Sequence, residues 1–551
     1  MDFQTKIWHN KAMKKTYDLS ALSREELEKE TVKLHTQLEA TQMLLNHYEE
    51  LYRLEKQKKH GRSSESQVID GQMTLDDLML FNEAEAFREP LNIEPAPEDL
   101  LPEKKASAKP RKKKLKSLPV KEVVYELSPE QQICPKCGSP LHEMKTQVRV
   151  EIEVIPASVH VVKHVTKIYA CRNCEKNGEA TIIKAPGAPI PVIEKSCASS
   201  SLLSDIITKK FVFGVPFCRQ EKDTKARQIP VTRNNMCNWC ITVAKDYFKP
   251  LTDVMKRILY ADHVIHCDET YVQVLHEPDR LASGKSYVWV MASARFQKEH
   301  KIALYNYTQT RAASEARKVL AGYKGYIMCD GYAGYDALKK VGKNGEVPMD
   351  VELVACMVHV RRKFIEALSL IRPQDRKNTS AQEAVNKITR MFQIDNKFND
   401  MEPAKRREAR EEHLRPALED FFAWINAEAE ISLPKTKYGQ ALEYAQKQKD
   451  KVMRVLEDGR LELDNNLAER TVKPFVIGRK NWLFCNTPQG ADASCTIYSI
   501  VETAKLNNLN PYEYVKYLLD EMPGKKLNEE ELERLLPWSP SIPQYVRNPE
   551  E

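Results

Sequence analysis

Two sets of residues in this chain could do chemistry: three carboxylates set in apolar or helical segments, and two pairs of cysteines. Asp268 stands in the middle of the strand-like run VIHCDETYV. An unpaired acid in a core strand is costly, so it needs a reason to be there. Asp330 closes a second apolar run, Tyr326–Cys329, and is followed by Gly331. Carboxylates at the ends of neighbouring strands repel, and a divalent cation keeps both ionised. Hard oxygen ligands suit Mg²⁺ or Mn²⁺. The third acid, Glu469, lies in LELDNNLAERTVKPFVIGRKNWLF, in the first turns of a helix that Asp464, Asn465 or Asn466 can cap. Arg470, Lys473, Arg479 and Lys480 follow as candidate phosphate contacts. The plainer readings are a hydrogen-bonded Asp268, a capping Asp330 and a Glu469 in a surface salt bridge. Periodicity alone does not choose between the two sets of readings. Asp464 is read as a cap. Glu269 is set aside because strand neighbours point to opposite faces.

The cysteines give a clearer signal. Cys134-Pro-Lys-Cys137-Gly and Cys171-Arg-Asn-Cys174 are two knuckles that can set four thiolates tetrahedrally around Zn²⁺. A closed four-cysteine site has no open position, so this zinc is structural. Cys237 and Cys240 form a third CxxC inside a helical pattern and read as helix residues. Cys267, Cys329 and Cys356 fall on predicted strands and read as small apolar residues.

The elements that would position these groups follow from pattern. Leu27, Thr31, Leu34, Leu38, Thr41, Leu45, Tyr48 and Tyr52 form an a/d seam, so residues 1–58 are expected to hold a coiled coil. Residues 59–120 read as a charged linker, and 121–185 as a zinc ribbon. Residues 186–255 read as helical. There Ser199–Phe211 forms one helix, and a helix pair breaks at Gln228-Ile229-Pro230. With Thr232 as N-cap, Arg233 and Asn234 would open the second helix of the pair, as in a helix-turn-helix that reads DNA. Plain helical packing is the alternative.

Residues 256–505 carry three successive β-runs, VIHCDETYVQV, SYVWVMASA and KIALYNYT. Helix–strand–helix–strand alternation follows, which predicts a mixed α/β sheet. A charged helical insertion covers about 372–456. A helix is expected over Asn466–Lys473, before Pro474, and residues 506–551 form a C-terminal helical element.

Composition narrows the class. The chain has 551 residues, 42% of them hydrophobic and 30% charged, which excludes wholesale disorder and points to several domains. No apolar run approaches the ~20 residues that span a bilayer. The N-terminus MDFQTKIWHNKAMKKTYDL lacks the apolar centre of a secretory signal, so a cytoplasmic location is expected. In such a compartment the 13 cysteines are read as thiols and metal ligands, not disulfides. The net charge of +7 hides two opposed linker blocks, an acidic stretch from Glu65 to Asp99 and the basic run KPRKKKLK. These nearly cancel, and the rest of the chain is moderately basic, which fits an anionic partner such as nucleic acid.

Taken together, several motifs resemble the transposase of insertion sequence family sixty-six. They are the three β-runs with Asp268 in the first, CDGYAGYDAL at Asp330, LDNNLAERTVKPFVIGRKNW at Glu469, HGRSSES after the coiled coil, CPKCG…CRNC, and YSIVETAKLNNLNPYEYVKYLL. The resemblance spans nearly the whole chain. It implies a DDE centre of Asp268, Asp330 and Glu469 holding Mg²⁺ in a ribonuclease H-like fold. It also implies cleavage at transposon ends followed by strand transfer into target DNA, in the nucleoid. CMVHVRRKF, with Cys356, His359, Arg361 and Arg362, matches a further family motif; the arginines are candidate DNA contacts. His359 is read as a packed or surface histidine, with DNA contact or orientation of a metal ligand as alternatives. The resemblance also implies two short accessory proteins of the same element, and the coiled coil suggests a homodimer. The competing reading is a retired transposase, a zinc-containing, sequence-specific DNA-binding protein without nuclease activity.

Overall fold

The computed structural model describes residues 159–165, 168–170, 182–184, 189–342 and 345–549. The coiled-coil seam, the charged linker and the four ribbon cysteines lie outside them. The chain divides into two compact units, 60–188 and the remainder. In the first, β1 (Ile168–Ala170) pairs antiparallel with β2 (Ile182–Lys184). β1 ends just before Cys171 in the sequence.

Among the described residues, the second unit opens with helices. α1 (Ser200–Phe211) starts where the Ser199 hydroxyl accepts the Leu202 N–H at 3.2 Å. α2 (Phe217–Ala226) and α3 (Arg233–Val243) form the expected pair. Thr232 caps α3 in a reciprocal box with Asn235, satisfying two backbone donors at once. A π-helical turn, Ala244–Phe248, leads into α4 (Lys249–Ala261).

The sheet follows in the order β5-β4-β3-β6-β7. Its strands are β3 (Val264–Gln273), β4 (Lys285–Ser293), β5 (Ala303–Thr308), β6 (Gly325–Cys329) and β7 (Val351–Ala355), with α5 (Ala313–Leu320) before β6. β3, β4 and β5 run antiparallel, while β6 and β7 add parallel to β3. Helix-connected crossovers force that parallel half, whereas short loops allow the antiparallel one. Val264–Cys267 are fully buried, but Asp268–Thr270 are only partly covered. Asp268 therefore stands where β3 leaves the core.

The exposed edge of β5 is covered by α12 (Pro488–Leu506). Ser499 Oγ accepts the Tyr305 N–H at 2.9 Å, and Thr503 Oγ1 accepts the Ala303 N–H at 3.0 Å. Hydroxyls here replace a missing strand partner, which blunts an edge that would otherwise pair with another chain.

After β7 come α6 (Met357–Ser369) and the helical insertion, α7 (Ser380–Asn396), α8 (Pro403–His413), α9 (Arg415–Ile431) and α10 (Lys437–Met453). Cys356 is the N-cap residue of α6, not a strand residue. Two fully buried arginines tie the insertion to the returning chain. Arg406 and Arg410 both bond Asp395, at 3.0 and 2.6 Å. Arg406 Nη1 donates to the carbonyls of Gly459 and Leu461, and Arg410 Nη1 to that of Val455, while Arg406 Nε is buried without a partner. One acid between two buried bases leaves charge that these carbonyls must absorb, so the return path is fixed. Gly459 is required there, since a Cβ would meet the Pro403 carbonyl at 1.8 Å.

That path delivers α11 (Asn466–Trp482), which packs across β3 and β4. The helix does not stop before Pro474 but runs through it. Proline removes one internal hydrogen bond, and packing outweighs the loss. Val472, Phe475 and Gly478 are all buried, with Phe475 set against Tyr305, Trp482 and Tyr498. α13 (Pro511–Glu521) and α14 (Glu529–Arg534) complete the C-terminal part. Among the described residues, no helix is long and apolar enough to cross a membrane.

Candidate metal-binding acidic site

β3 and β6 are registered with His266 opposite Met328. Two residues further on in each strand direction stand Asp268 and Asp330, so parallel pairing brings the two acids level. Asp268 Oδ1 accepts the N–H of Glu269 at 2.8 Å, and Asp330 Oδ1 accepts that of Tyr332 at 2.9 Å. Burial pushes the Asp268 carboxyl well above the usual carboxylate range. The charges of Glu269, Asp330 and Glu469 push it further, against one opposing backbone hydrogen bond. Asp268 thus feels both other members of the predicted triad.

Glu469 lies in the first turn of α11, where helix N-terminal polarity favours an acid. Its Oε1 is 3.7 Å from His359 Nε2 and 3.7 Å from an Arg362 nitrogen. That oxygen is buried and makes no hydrogen bond, and the same holds for His359 Nδ1. Cys356, His359 and Glu469 present one donor atom each within 4.8 Å of one another. His359, which pattern alone places in packing or at the surface, faces Glu469.

Asn465 is the residue whose role sequence reasoning missed. It was one of three candidate caps, yet its side chain makes no capping bond. It is 1% exposed and points into the sheet. Its Nδ2 donates to the Cys267 carbonyl at 2.8 Å, and its Oδ1 lies 2.9 Å from His266 Nδ1. Its backbone N–H donates to Cys356 Sγ at 3.2 Å. His266 Nε2 in turn faces Glu462 at 3.2 Å. Burial would raise the Glu462 carboxyl, but His266, Arg406 and Arg295 outweigh it and hold it below the usual range. One residue therefore fastens the start of α11 to β3 beside Asp268 and to the start of α6. The available signal was the run Asp464-Asn465-Asn466. Asp464 already accepts the Asn466 N–H at 2.9 Å, which leaves Asn465 free for another task.

Glu269 is occupied elsewhere. Arg311 Nε donates to it at 2.7 Å and the Tyr335 hydroxyl at 2.7 Å. Burial and Asp330 raise its carboxyl, while Arg311 and Tyr335 oppose them. Arg311 also lies 3.8 Å from Asp330 and stacks 3.6 Å from the Tyr332 ring centre. No sequence pattern marked this arginine.

The candidate DNA contacts divide by position. Arg362 lies at Glu469, and Arg361 is partly buried on the same helix. Arg470 and Lys480 are exposed and Lys473 is partly covered, all on α11. Arg479 is directed to β3, where it bonds Thr270 Oγ1 at 3.1 Å and the Tyr271 carbonyl, over the Tyr271 ring. Arg233 and Asn234 are exposed at the start of α3.

Comparison with known proteins places this chain among transposases. A family model described as "Transposase IS66 family" matches residues 195–493, more than half of the chain. The chain belongs to the IS66 transposase family. Three further models match in series. The IS66 C-terminal element covers 499–538 and the zinc-finger binding domain of transposase IS66 covers 131–175. A model described as "Transposase C of IS166 homeodomain" covers 47–123. Among curated relatives, "Uncharacterized protein y4jD" of Sinorhizobium fredii is 28% identical, over 77% of this chain and 81% of its own length. "Uncharacterized protein y4hP" of the same organism is 26% identical, over 74% of this chain and 73% of its own.

Proposed function

We propose that this chain is a DDE transposase that cuts the ends of its element and joins them to target DNA at a ribonuclease H-like centre formed by Asp268, Asp330 and Glu469. The observation that carries the reading is the level placement of Asp268 on β3 and Asp330 one residue past the end of the parallel strand β6, with the charge of Glu469 reaching Asp268. The sheet order, three antiparallel strands followed by two parallel ones, supports it.

The donor set fits a hard divalent cation. It offers carboxylate oxygens only, and Asp268 is held toward its neutral form when no cation is near. Mg²⁺ or Mn²⁺ on these residues would supply charge neutralisation at the phosphodiester. The chain's own groups do the rest. Asn465 and the insertion hold Glu469 at the sheet, and Arg362, Arg470 and Lys473 offer positive charge to the DNA backbone. Water displaces the 3′ oxygen at the element end, and the freed 3′-OH then displaces a 3′ oxygen in the target strand. Both are in-line substitutions without a covalent enzyme intermediate, so the acceleration comes from positioning and electrostatics.

The zinc ribbon at Cys134, Cys137, Cys171 and Cys174, together with α2 and α3, would read the ends, with Arg233 and Asn234 at the base edges. The N-terminal coiled coil would pair two protomers, each holding one end, in the nucleoid.

The direct test is cleavage of end-containing DNA by the full-length protein. Nicking in Mg²⁺ that stops with chelator is expected. Binding without cleavage in any divalent metal would instead favour the retired, DNA-binding form.

A second expectation concerns pH. A raised Asp268 pKa means the folded state keeps a proton that the unfolded state gives up. Cation-free stability therefore falls as pH climbs from the ordinary carboxylate range through the raised value. Cation binding favours the ionised form and reverses this loss. The rise in Tm on adding Mg²⁺ should grow with pH, and a pH-independent rise would remove Asp268 from the cation site.

A further inference from the structure

We propose that Cys356, His359 and Glu469 form a second metal site, which takes a borderline-soft divalent ion such as Zn²⁺ and shares Glu469 with the hard-cation site. The geometry starts from the chain. Cys356 caps α6 and His359 lies three residues on, so both side chains fall on one face of the helix start. Glu469 arrives from the first turn of α11. The three donor atoms already lie within 4.8 Å of one another, and His359 Nε2 is 3.7 Å from Glu469 Oε1. Zinc bonds of roughly 2.0–2.3 Å in a tetrahedron require ligand atoms roughly 3.3–3.8 Å apart. Small side-chain movements close the site.

The donor chemistry separates it from the acidic site. A thiolate, an imidazole and one carboxylate select zinc or cobalt over magnesium. Glu469 Oε1 is buried without a hydrogen-bond partner, a cost that a packing role leaves unexplained. The thiol is already oriented, since the Asn465 N–H donates to Cys356 Sγ at 3.2 Å. Arg362 is the nearest competing cation for Glu469, and its side chain is 43% exposed, so it can swing into solvent. An ion held here would draw Glu469 away from Asp268 and Asp330. Zn²⁺ would then act as an inhibitor that Mg²⁺ reverses. This last consequence rests on the catalytic role proposed for Glu469, while the site itself does not.

The experiment is a Co²⁺ titration of the full-length protein after its ribbon has been saturated with Zn²⁺, read by thiolate-to-cobalt absorption in the near ultraviolet. One further equivalent with a thiolate band is expected, and it should be lost in both Cys356→Ala and His359→Gln while ribbon zinc content is unchanged. Where Cys356→Ala fails to fold, His359→Gln decides. The absence of a thiolate band in the wild type, or a band that survives in folded variants, would overturn the site. Co²⁺ uptake as expected alongside no Mg²⁺-dependent cleavage would support the site and sink only the catalytic reading.

Discussion

Asp268→Asn is expected to abolish end cleavage and strand transfer, by about 10³-fold or more, while binding of element ends persists. The substitution keeps shape and removes one charge. Asp268 Oδ1 accepts only one backbone hydrogen bond, from Glu269, which an amide oxygen can also accept. Nothing in the fold therefore requires the carboxylate. The opposite holds, since burial and three neighbouring acids oppose its ionisation. Asparagine carries no such penalty, so in the absence of divalent cation the variant should match or exceed the wild type in Tm, increasingly so as pH rises. An inactive yet equally stable protein is the signature of a ligand. A variant that keeps full activity in Mg²⁺ would show that Asp268 is a hydrogen-bonded core acid and nothing more.

Asn465→Ala should be the second large effect, of a different kind. The truncation strands the Cys267 carbonyl and His266 Nδ1 in a buried setting. Leaving such groups unpaired costs about 1–3 kcal/mol each, so a loss of about 2–6 kcal/mol is expected in denaturant unfolding. The start of α11 would also be freed from β3, and catalysis should fall by more than the loss of folded protein explains. Activity per folded molecule separates the two contributions, because misplacement by about 1 Å near reacting groups can cost 10²-fold. Unchanged activity per folded molecule would reduce Asn465 to a structural tie.

The contrast between these residues shows what could be read from the sequence. The strands at 264–273, 285–293 and 303–308 were legible because apolar runs between turn residues have little other use. Thr232 was legible as a cap because capping is local chemistry over three residues. Asp268 was legible as a misfit in an apolar strand, and Asp330 as an acid closing one. What escaped depends on contacts between distant segments. α11 continues through Pro474 because Phe475 finds Tyr305 and Tyr498, both far away in sequence. Arg311 meets Glu269 across 42 residues, and Asn465 meets His266 across 199. Local pattern fixes neither pairing. Cys356 was placed on a strand by its apolar neighbours, but the chain turns into α6 at that residue, and its sulfur meets a backbone N–H.

The central claim is that Asp268, Asp330 and Glu469 hold one cation. Fe²⁺ placed in the Mg²⁺ site of the full-length protein, with ascorbate and peroxide, would cut the backbone wherever it is bound. The account predicts cuts clustered near residues 268, 330 and 469, all suppressed together by excess Mg²⁺. Cuts confined to 356–359 and 469, or no Mg²⁺-sensitive cut near 268 and 330, would contradict it.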